Sequence, residues 1–462
     1  MTLPHTVFTM IRHLRLFLLP VLVASAAVVP TVAAGQGVTA FTNVRLVDGR
    51  GGAAADAMTI LVRGGTIDVI GPSATTPVPR GARVVSGGGR TLMPGLADMH
   101  VHLTGGWDGE RTDMLGIAGY LDALLYAGVT TVHDLGNVLP YVQQVKQEIG
   151  AGRLRGPRLY MVGSLVDGPN PLWPPLSFAL SSVDQAPGFV RQLKRGGADD
   201  IKGYIGLQEP MLSGLVRAAA AESLRVIADL GFANGSDMGI RTGIAAYAHA
   251  GTRLMADSTI AAMKARGMAN ITTLAVLESF SERRLANLDF LRDSLLSAVM
   301  PPWFVAELTA YARRPVTPMD TLRRRRFATA LENAKTNVLR LHRAGVPIIA
   351  GTDSPYPGVY FGEGLHRELE LLVEAGLTPL EAISAATSSA AAFMRDSTWG
   401  TIAPGRRADL LLVAGRPDQR ISDTRHIVAV MQGGRLLPRA QLTHAAQRNA
   451  NFRTTGAQLS VK

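Results

Sequence analysis

Two histidines one residue apart, His100 and His102, are the residues of this chain whose types and spacing point most directly to chemistry. They stand in the apolar stretch of residues 97–103, which predicts a strand, and alternate side chains of a strand project from the same face. Two neutral imidazoles held side by side are good ligands for zinc and related divalent ions. The spacing therefore predicts half of a metal site. Two unrelated strand histidines are the alternative, because so short a motif recurs by chance.

Four more polar side chains end predicted strands further along the chain: Lys202, Asp229, His249 and Asp353. A buried lysine or carboxylate without a partner is costly, so these groups at strand ends need an explanation. One metal centre shared with the two histidines explains all of them.

Three of these side chains also have an ordinary structural interpretation. Lys202 has Asp199 and Asp200 close by as ion-pair partners. His249 fits a core histidine, and Asp353 fits the cap of the turn that follows it. Because they fall one to each expected strand, their joint pattern favours the shared metal centre.

The elements that must position these residues lie between about residue 95 and residue 396, where strand and helix patterns alternate. Such alternation predicts a parallel sheet. Helical stretches such as 115–127 and 211–222 separate most of the predicted strands. The widest gap between strands, 275–345, is mostly helical by pattern and is expected to cover the open end of the barrel predicted below. Eight units in about 300 residues fit a (β/α)8 TIM barrel, whose catalytic residues lie at the carboxyl ends of its strands. The eight predicted strands are residues 97–103, 129–135, 158–163, 200–205, 225–230, 244–250, 268–274 and 346–353.

The two ends of the chain carry short alternating strands that break at glycine, unlike the middle. Residues 38–93 and 399–440 are therefore predicted to build one small β-sandwich domain. The α/β barrel domain between them is assigned to residues 94–398, and residues 441–462 are assigned to a C-terminal tail.

Residues 1–34 have the pattern of a secretory signal peptide. Arg12 and Arg15 precede an apolar run that ends in small residues, and Pro20 and Pro30 argue against the alternative of an uncleaved anchor. The prediction is a periplasmic or secreted protein with no stable membrane span after signal cleavage.

Composition narrows the function classes further. The chain has no cysteine, which excludes disulfides, cysteine-ligated zinc and thiol nucleophiles. The formal net charge of +11 favours acidic surfaces but says little about chemistry. The densest basic run, Arg323–Arg326, lies in a helical pattern and predicts a solvated helix face rather than a nucleic-acid site. Assembly into a homo-oligomer stays open.

The chain resembles the amidohydrolase superfamily, in the branch of imidazolonepropionase-like and Xaa-Pro-dipeptidase-like metal hydrolases. The resemblance runs from about residue 39 to residue 437, with the motifs in the order and spacing of the family. The motifs are PGLADMHVH (94–102), GVTTVHDLG (128–136), IK (201–202), AGTD (350–353), AATSSAA (385–391) and GTIAPGRRADL (400–410).

The resemblance implies a hydrolase with one or two divalent ions, usually zinc. On the matching positions, His100 and His102 hold one ion. Lys202, N6-carboxylated by CO₂, bridges the two ions, and His249 helps to hold the second. Asp353 binds metal and moves the proton.

The implied reaction is cleavage of an amide (C–N, non-ester) bond by metal-activated hydroxide, with a dipeptide, an N-acyl amino acid or a cyclic amide as substrate. Asp353 acts as general base and then as general acid. His249 and Tyr204 are candidates to bind the substrate oxygen, although Tyr204 is equally plausible as a packed rim residue.

Aromatic residues in the loops after predicted strands one, three and eight are expected to wall an apolar pocket. They are Trp107, Trp173, Tyr356 and Tyr360. Glu363, His366 and Glu368 start a helix after strand eight and are expected to support the site rather than to bind metal.

One position departs from the family, which has a histidine where this chain has Asp229. Aspartate is a legitimate zinc ligand, so the site is not lost. Its negative charge weakens the Lewis acid and favours harder ions such as Mn²⁺. The prediction is an altered second metal position. The alternative is a mononuclear or degenerate amidohydrolase, either deaminase-like or non-catalytic.

Overall fold

The computed structural model describes residues 37–106, 113–114 and 116–443. The predicted signal peptide lies outside these residues, as does most of the predicted C-terminal tail. Among the helices of the described ranges, none is both long and apolar enough to cross a membrane.

Short strands run through the whole described chain. In chain order they are β1 Thr39–Leu46, β2 Ala55–Arg63, β3 Thr66–Pro72, β4 Arg83–Ser86, β5 Thr91–Pro94, β6 Leu96–Val101, β7 Val129–Asp134, β8 Arg158–Met161, β9 Leu165–Asp167, β10 Ser177–Ala179, β11 Ile201–Gly203, β12 Val226–Ala228, β13 Ala246–Tyr247, β14 Ala269–Ile271, β15 Ile348–Ile349, β16 Leu410–Val413, β17 Ile427–Gln432 and β18 Arg435–Leu436.

Helices occupy most of the connections between β6 and β16. They are α1 Ile117–Tyr126, α2 Leu139–Gly150, α3 Ala186–Arg195, α4 Glu209–Ala221, α5 Asp237–Thr242, α6 Asp257–Ala265, α7 Leu274–Phe280, α8 Ser294–Ser297, α9 Pro302–Ala312, α10 Pro318–Ala344, α11 Glu363–Glu374, α12 Pro379–Ala385 and α13 Ser388–Phe393.

The longest helix, α10, has clear start and stop signals. Thr317 and Asp320 form a reciprocal capping box, and Pro318 occupies the first turn, where its missing N–H costs nothing. Gly345 ends the helix in the left-handed conformation that glycine adopts without strain. Helices α7 to α10 confirm that the predicted gap 275–345 is mostly helical.

Strands from both chain ends join one eight-stranded sheet. Its order is β18-β17-β16-β5-β1-β2-β3, with β4 paired to β1. The link between the two ends is the antiparallel pair of β16 and β5, in which Leu410 lies opposite Pro94. The shared sheet explains why similar strand patterns open and close the sequence. The sandwich form of this domain stays a prediction.

The middle of the chain forms parallel strands separated by helices, as predicted for the mixed α/β class. One sheet contains β6-β7-β8, and the other runs β10-β9-β11-β12-β13-β14-β15. Backbone bonds connect the two sheets on both sides: the Met99 N–H donates to the Ala350 carbonyl (3.0 Å), and the Asp199 N–H donates to the Met161 carbonyl (2.8 Å). Each of the eight predicted strands recurs in order, shorter than predicted, and the third continues into β9.

The parallel strands are buried on both faces, which is why they read as nearly continuous apolar runs. Their outer faces pack on the helices in one large apolar core. Their inner faces share a second core, whose members include Met99, Ile227, Ile271 and Trp399. The carboxyl ends of the strands lie above that second core and carry the polar residues described next.

Candidate metal centre

The Nε2 atoms of His100 and His102 both face the carboxylate of Asp353. The Nδ1 atom of His100 lies 2.9 Å from the carbonyl oxygen of Ala248, and that of His102 lies 2.9 Å from the carbonyl oxygen of Gly136. Because a carbonyl can only accept, each Nδ1 carries a proton, and each Nε2 is the ring nitrogen left to face the carboxylate. The two Nε2 atoms lie 3.3 and 3.0 Å from Oδ1 of Asp353.

Asp353 therefore faces imidazoles rather than the following turn, so the interpretation of this residue as a turn cap is wrong. Its backbone N–H donates to the carbonyl of His100 (2.7 Å), which holds the segment after β15 against β6. The ligand atoms of His100, His249 and Asp353 all lie within 4.8 Å of one another, the spacing that one metal ion requires.

Lys202 lies in β11 with 1% of its surface exposed. Its Nζ lies 3.4 Å from the nearest imidazole nitrogen. The ion-pair interpretation is wrong, because Asp199 binds Lys146 (2.6 Å) and Asp200 binds Arg225 (2.8 Å). Burial lowers the pKa of Lys202 and so favours the neutral amine, which is the nucleophilic form that carboxylation by CO₂ requires.

Asp229 and His249 face each other, with Oδ2 and Nε2 3.3 Å apart. The Oδ1 atom of Asp229 accepts from the Gly231 N–H (2.8 Å) and from the Asn234 side-chain amide (3.1 Å). The Nδ1 atom of His249 lies 2.7 Å from the Thr273 hydroxyl. Burial acts to raise the pKa of Asp229, but the facing His249, Lys202 and the Gly231 N–H together outweigh it and lower the pKa overall. Asp229 is thus a carboxylate with one oxygen anchored and the other turned towards His249.

Two buried acids inside the family motifs tie the ligand strands together, a role that was not predicted from the sequence. Asp98 accepts from the backbone N–H (3.0 Å) and hydroxyl (2.7 Å) of Thr352, which joins the strand of His100 to the segment of Asp353. Asp134 accepts from the backbone N–H of Leu103 (3.0 Å) just beyond His102. In the sequence, the only sign of this role is an acidic residue close to a predicted metal ligand.

Two glycines allow the close approach of these segments. A Cβ on Gly351 would lie 2.8 Å from the Cβ of His100, and a Cβ on Gly136 would lie 2.7 Å from the Leu165 side chain and 3.2 Å from the His102 ring. A side chain at either position would displace an imidazole.

A cavity of about 410 Å³ opens above the cluster. All six predicted metal-site residues and Tyr204 line it, so the structure brings the predicted site together; metal binding stays a prediction. Apolar side chains line its walls. They are Leu165, Leu172, Trp173, Pro175, Leu176, Ile205, Val276, Leu277, Phe280, Phe327, Pro355 and Tyr356.

The predicted aromatic wall is confirmed for Trp173 and Tyr356, which line the cavity. It is wrong for Tyr360, which is 2% exposed and packs against Tyr120 and Phe304 in the helical layer. Trp107 lies outside the described residues.

The three residues predicted to support the site after strand eight lie in α11, outside the ligand cluster, and their support of the site stays a prediction. Glu363 binds Arg284 and Arg425, and His366 bonds the Thr424 hydroxyl and the Ala127 carbonyl. Glu368 accepts from the backbone N–H of residue 275 at 2.7 Å. These contacts hold the helix in place.

His133, in β7, is a further buried histidine. Neither ring nitrogen has a hydrogen-bond partner among the described protein groups, and the ring lies 6.4 Å from that of Tyr160. Burial lowers the pKa of His133 well below its ordinary value, so the ring is neutral. Tyr160 packs against the second, inner apolar core, so His133 lies beside that core and not among the candidate metal ligands.

The donor set fits a divalent metal. Histidines that bind metal usually donate their other ring N–H to a carbonyl or another oxygen, and His100, His102 and His249 each hold Nδ1 against such an oxygen. Burial lowers the pKa of His100 well below its ordinary value, which keeps it in the neutral form that binds metal.

The model of the amidohydrolase family matches residues 91–437 of this chain. The chain belongs to the amidohydrolase family. It is 27% identical over 376 residues to adenine deaminase 2 of Rhizobium etli, covering 78% of this chain and 52% of that protein. It is also 27% identical over 389 residues to an imidazolonepropionase of an Anaeromyxobacter species, covering 78% of this chain and 85% of that protein.

Among solved structures, the fold is similar to that of a Xaa-Pro dipeptidase, with a TM-score of 0.71 and 20% identity over 87% of this chain and 100% of that one. Such amidohydrolase neighbours imply a TIM-barrel fold. The chain spans about half the length of the adenine deaminases that it matches.

Proposed function

We propose that this chain is a secreted, metal-dependent hydrolase that cleaves an amide (C–N, non-ester) bond. The observation that carries the proposal is the set of three ligand atoms, from His100, His249 and Asp353, within 4.8 Å of one another on the floor of an apolar cavity. Family membership supports hydrolysis of carbon–nitrogen bonds. The parallel strands are inferred to close as a (β/α)8 barrel that presents this floor.

The candidate ligands divide into two groups around Asp353. The Nε2 atoms of His100 and His102 face Asp353, Asp229 faces His249, and the Nζ of Lys202 lies 3.4 Å from Nε2 of His100. One or two divalent ions, zinc or a harder ion such as Mn²⁺, supply Lewis acidity here and lower the pKa of bound water when present.

Asp353 is placed to move the proton. Its Oδ1 lies at the centre of the cluster and lines the cavity, so it serves as general base towards water and then as general acid towards the leaving nitrogen. The Tyr204 hydroxyl lines the same cavity and donates to the carbonyl oxygen of the substrate; His249 would donate there only if its Nε2 carried a proton in place of a metal ion. Burial raises the pKa of Tyr204, so its hydroxyl keeps the proton that it donates.

The walls support a substrate with an apolar group beside its amide. Leucine, phenylalanine and tryptophan side chains line the cavity, and its volume of about 410 Å³ suits a small molecule rather than a folded protein. Among dipeptides, N-acyl amino acids and cyclic amides, those with aromatic or large aliphatic side chains are therefore expected to be the better substrates.

The test is metal content per chain by elemental mass spectrometry, on protein purified without chelator or metal-affinity tag, combined with a screen of amides. The screen pairs N-acetyl-L-phenylalanine with N-acetyl-glycine and Leu-Phe with Gly-Gly. Activity that a chelator removes and added Zn²⁺ or Mn²⁺ restores is the expected result, with the apolar member of each pair preferred. Absence of metal, with none taken up on reconstitution, would refute the proposal.

A mononuclear, deaminase-like enzyme is the second candidate. Asp229 in place of the family histidine favours it, as does the similarity to adenine deaminases. Close to one ion per chain, with ammonia released from adenine and no amide cleaved, would support this alternative. Close to two ions would support Asp229 as a working ligand. A non-catalytic relic would keep the barrel but bind no metal.

A further inference from the structure

A buried carboxylate holds the loop between β9 and β10 against the segment after β11. Asp167, 1% exposed, accepts from the backbone N–H of Leu172 (2.9 Å) through Oδ2 and from that of Gly206 (2.7 Å) through Oδ1. Gly168 and Gly206 approach so closely that neither has room for a side chain. The two segments are therefore fixed relative to each other at the cavity rim.

The neighbours of these anchored residues meet inside the cavity. Trp173, next to Leu172, places its indole Nε1 3.2 Å from the hydroxyl oxygen of Tyr204. An indole N–H can only donate, so the Tyr204 oxygen accepts in this bond. The hydroxyl hydrogen of Tyr204 is then directed away from Trp173, and both side chains line the cavity.

We propose that Trp173 is a positioning residue, which orients the Tyr204 hydroxyl so that it donates to the carbonyl oxygen of the bound amide. A phenolic hydroxyl rotates freely unless a neighbour fixes it, and donors that are oriented beforehand lower the barrier more than donors that must reorient. The inference rests on the proposed function. The loop that carries Trp173 thus has two roles: it forms one apolar wall of the cavity, and it orients the Tyr204 hydroxyl.

The kinetic test uses Trp173→Phe, Tyr204→Phe and the double variant, with N-acetyl-L-phenylalanine as substrate and metal content measured for each. Loss of the donor in Tyr204→Phe is expected to lower kcat roughly 10²- to 10³-fold. Loss of one neutral hydrogen bond in Trp173→Phe is expected to lower kcat roughly 3- to 10-fold with KM nearly unchanged. The double variant should equal Tyr204→Phe, because Trp173 acts only through that hydroxyl.

Trp303→Phe is the matched control, since Trp303 lies in α9 and packs beside Phe304 rather than on the cavity. It is expected to keep wild-type kinetics. Wild-type kcat in Trp173→Phe, or additive losses in the double variant, would overturn the proposal while leaving the hydrolase function intact.

A second measurement does not depend on turnover. The chain has four tryptophans, so ¹⁵N-tryptophan labelling gives at most four indole resonances, and Trp173→Phe identifies that of Trp173. Tyr204→Phe is expected to move this resonance and to leave that of Trp303 in place. An unmoved Trp173 resonance would overturn the proposal even if no amide is cleaved; inactivity of the wild type alone would count against the proposed function instead.

Discussion

Replacing Glu363 with glutamine is expected to destabilise the fold more than any exposed ion-pair substitution. The Glu363 carboxylate is fully buried and binds two guanidinium groups. Arg284 donates through Nη1 and Nη2 at 3.0 and 2.5 Å, and Arg425 donates through Nη1 at 2.7 Å. Removing one partner of a buried ion pair leaves the remaining charges uncompensated, which is the costly way to break it.

The magnitude follows from proton binding. Burial acts to raise the pKa of Glu363, but Arg284 and Arg425 outweigh it and lower the pKa from 4.5 to about 2. At about 1.4 kcal/mol per tenfold change in proton affinity, the charged form contributes about 3 kcal/mol of stability. With an unfolding entropy of ~2.1 cal/mol/K for each of roughly 400 residues, that loss lowers the melting temperature by roughly 3–4 °C.

The sign of the pH dependence is also determined. Because the folded-state pKa is the lower one, the stabilisation is complete above pH 4.5 and is lost as the pH falls towards 2. Differential scanning calorimetry at pH 7 and at successively lower pH is the assay. The melting temperatures of wild type and Glu363→Gln should converge on acidification.

Glu209→Gln is the matched control, because Glu209 also binds an arginine, Arg241, at 2.7 Å, but on the surface. No measurable change is expected there, since exposed pairs contribute little. Equal melting temperatures for Glu363→Gln and wild type at pH 7, or a difference as large at pH 2 as at pH 7, would refute the assigned role of the buried carboxylate.

Three further outcomes are expected at the site and in the inner core. Asp353→Asn should lower kcat by roughly 10²- to 10⁴-fold, the usual contribution of a general acid–base, with an unchanged circular dichroism spectrum; near-normal turnover would exclude the assigned role. Lys202→Met should lower the metal content per chain measured by elemental mass spectrometry if the carboxylated lysine proposed to bridge two ions is present, and an unchanged content would argue against a bridge. His133→Leu should raise the free energy of unfolding by about 1–3 kcal/mol in urea titrations, because it removes two unpaired buried nitrogens; a decrease would mean that the imidazole is paired in solution.

Much of the site was predictable because it depends on local patterns. Side-chain alternation along one strand puts His100 and His102 on the same face, and the strand-helix alternation predicts parallel strands whose carboxyl ends meet. Lys202, Asp229, His249 and Asp353 follow from their places at those ends. The repeated strand pattern at the two chain ends likewise predicted their shared domain, which the pairing of β16 with β5 explains.

Other features depend on contacts between segments far apart in the chain, which no local pattern encodes. The carbonyls of Ala248 and Gly136 decide which nitrogen of His100 and His102 carries the proton. Trp173 and Tyr204 are 31 residues apart, and only the packing of their two loops brings them together. Tyr360 sits in a loop by sequence, yet folding turns it into the helical layer, away from the cavity.

The sequence by itself thus determined the class of fold and the set of residues with metal-binding chemistry, because period and residue type are properties of short segments. The tertiary structure alone decided how those residues are oriented. The anchored oxygen of Asp229 is an example, since Asn234 and Gly231 hold Oδ1 and leave Oδ2 to face His249. Hydrogen-bond direction, unlike periodicity, is set by whichever groups the whole fold brings within about 3 Å.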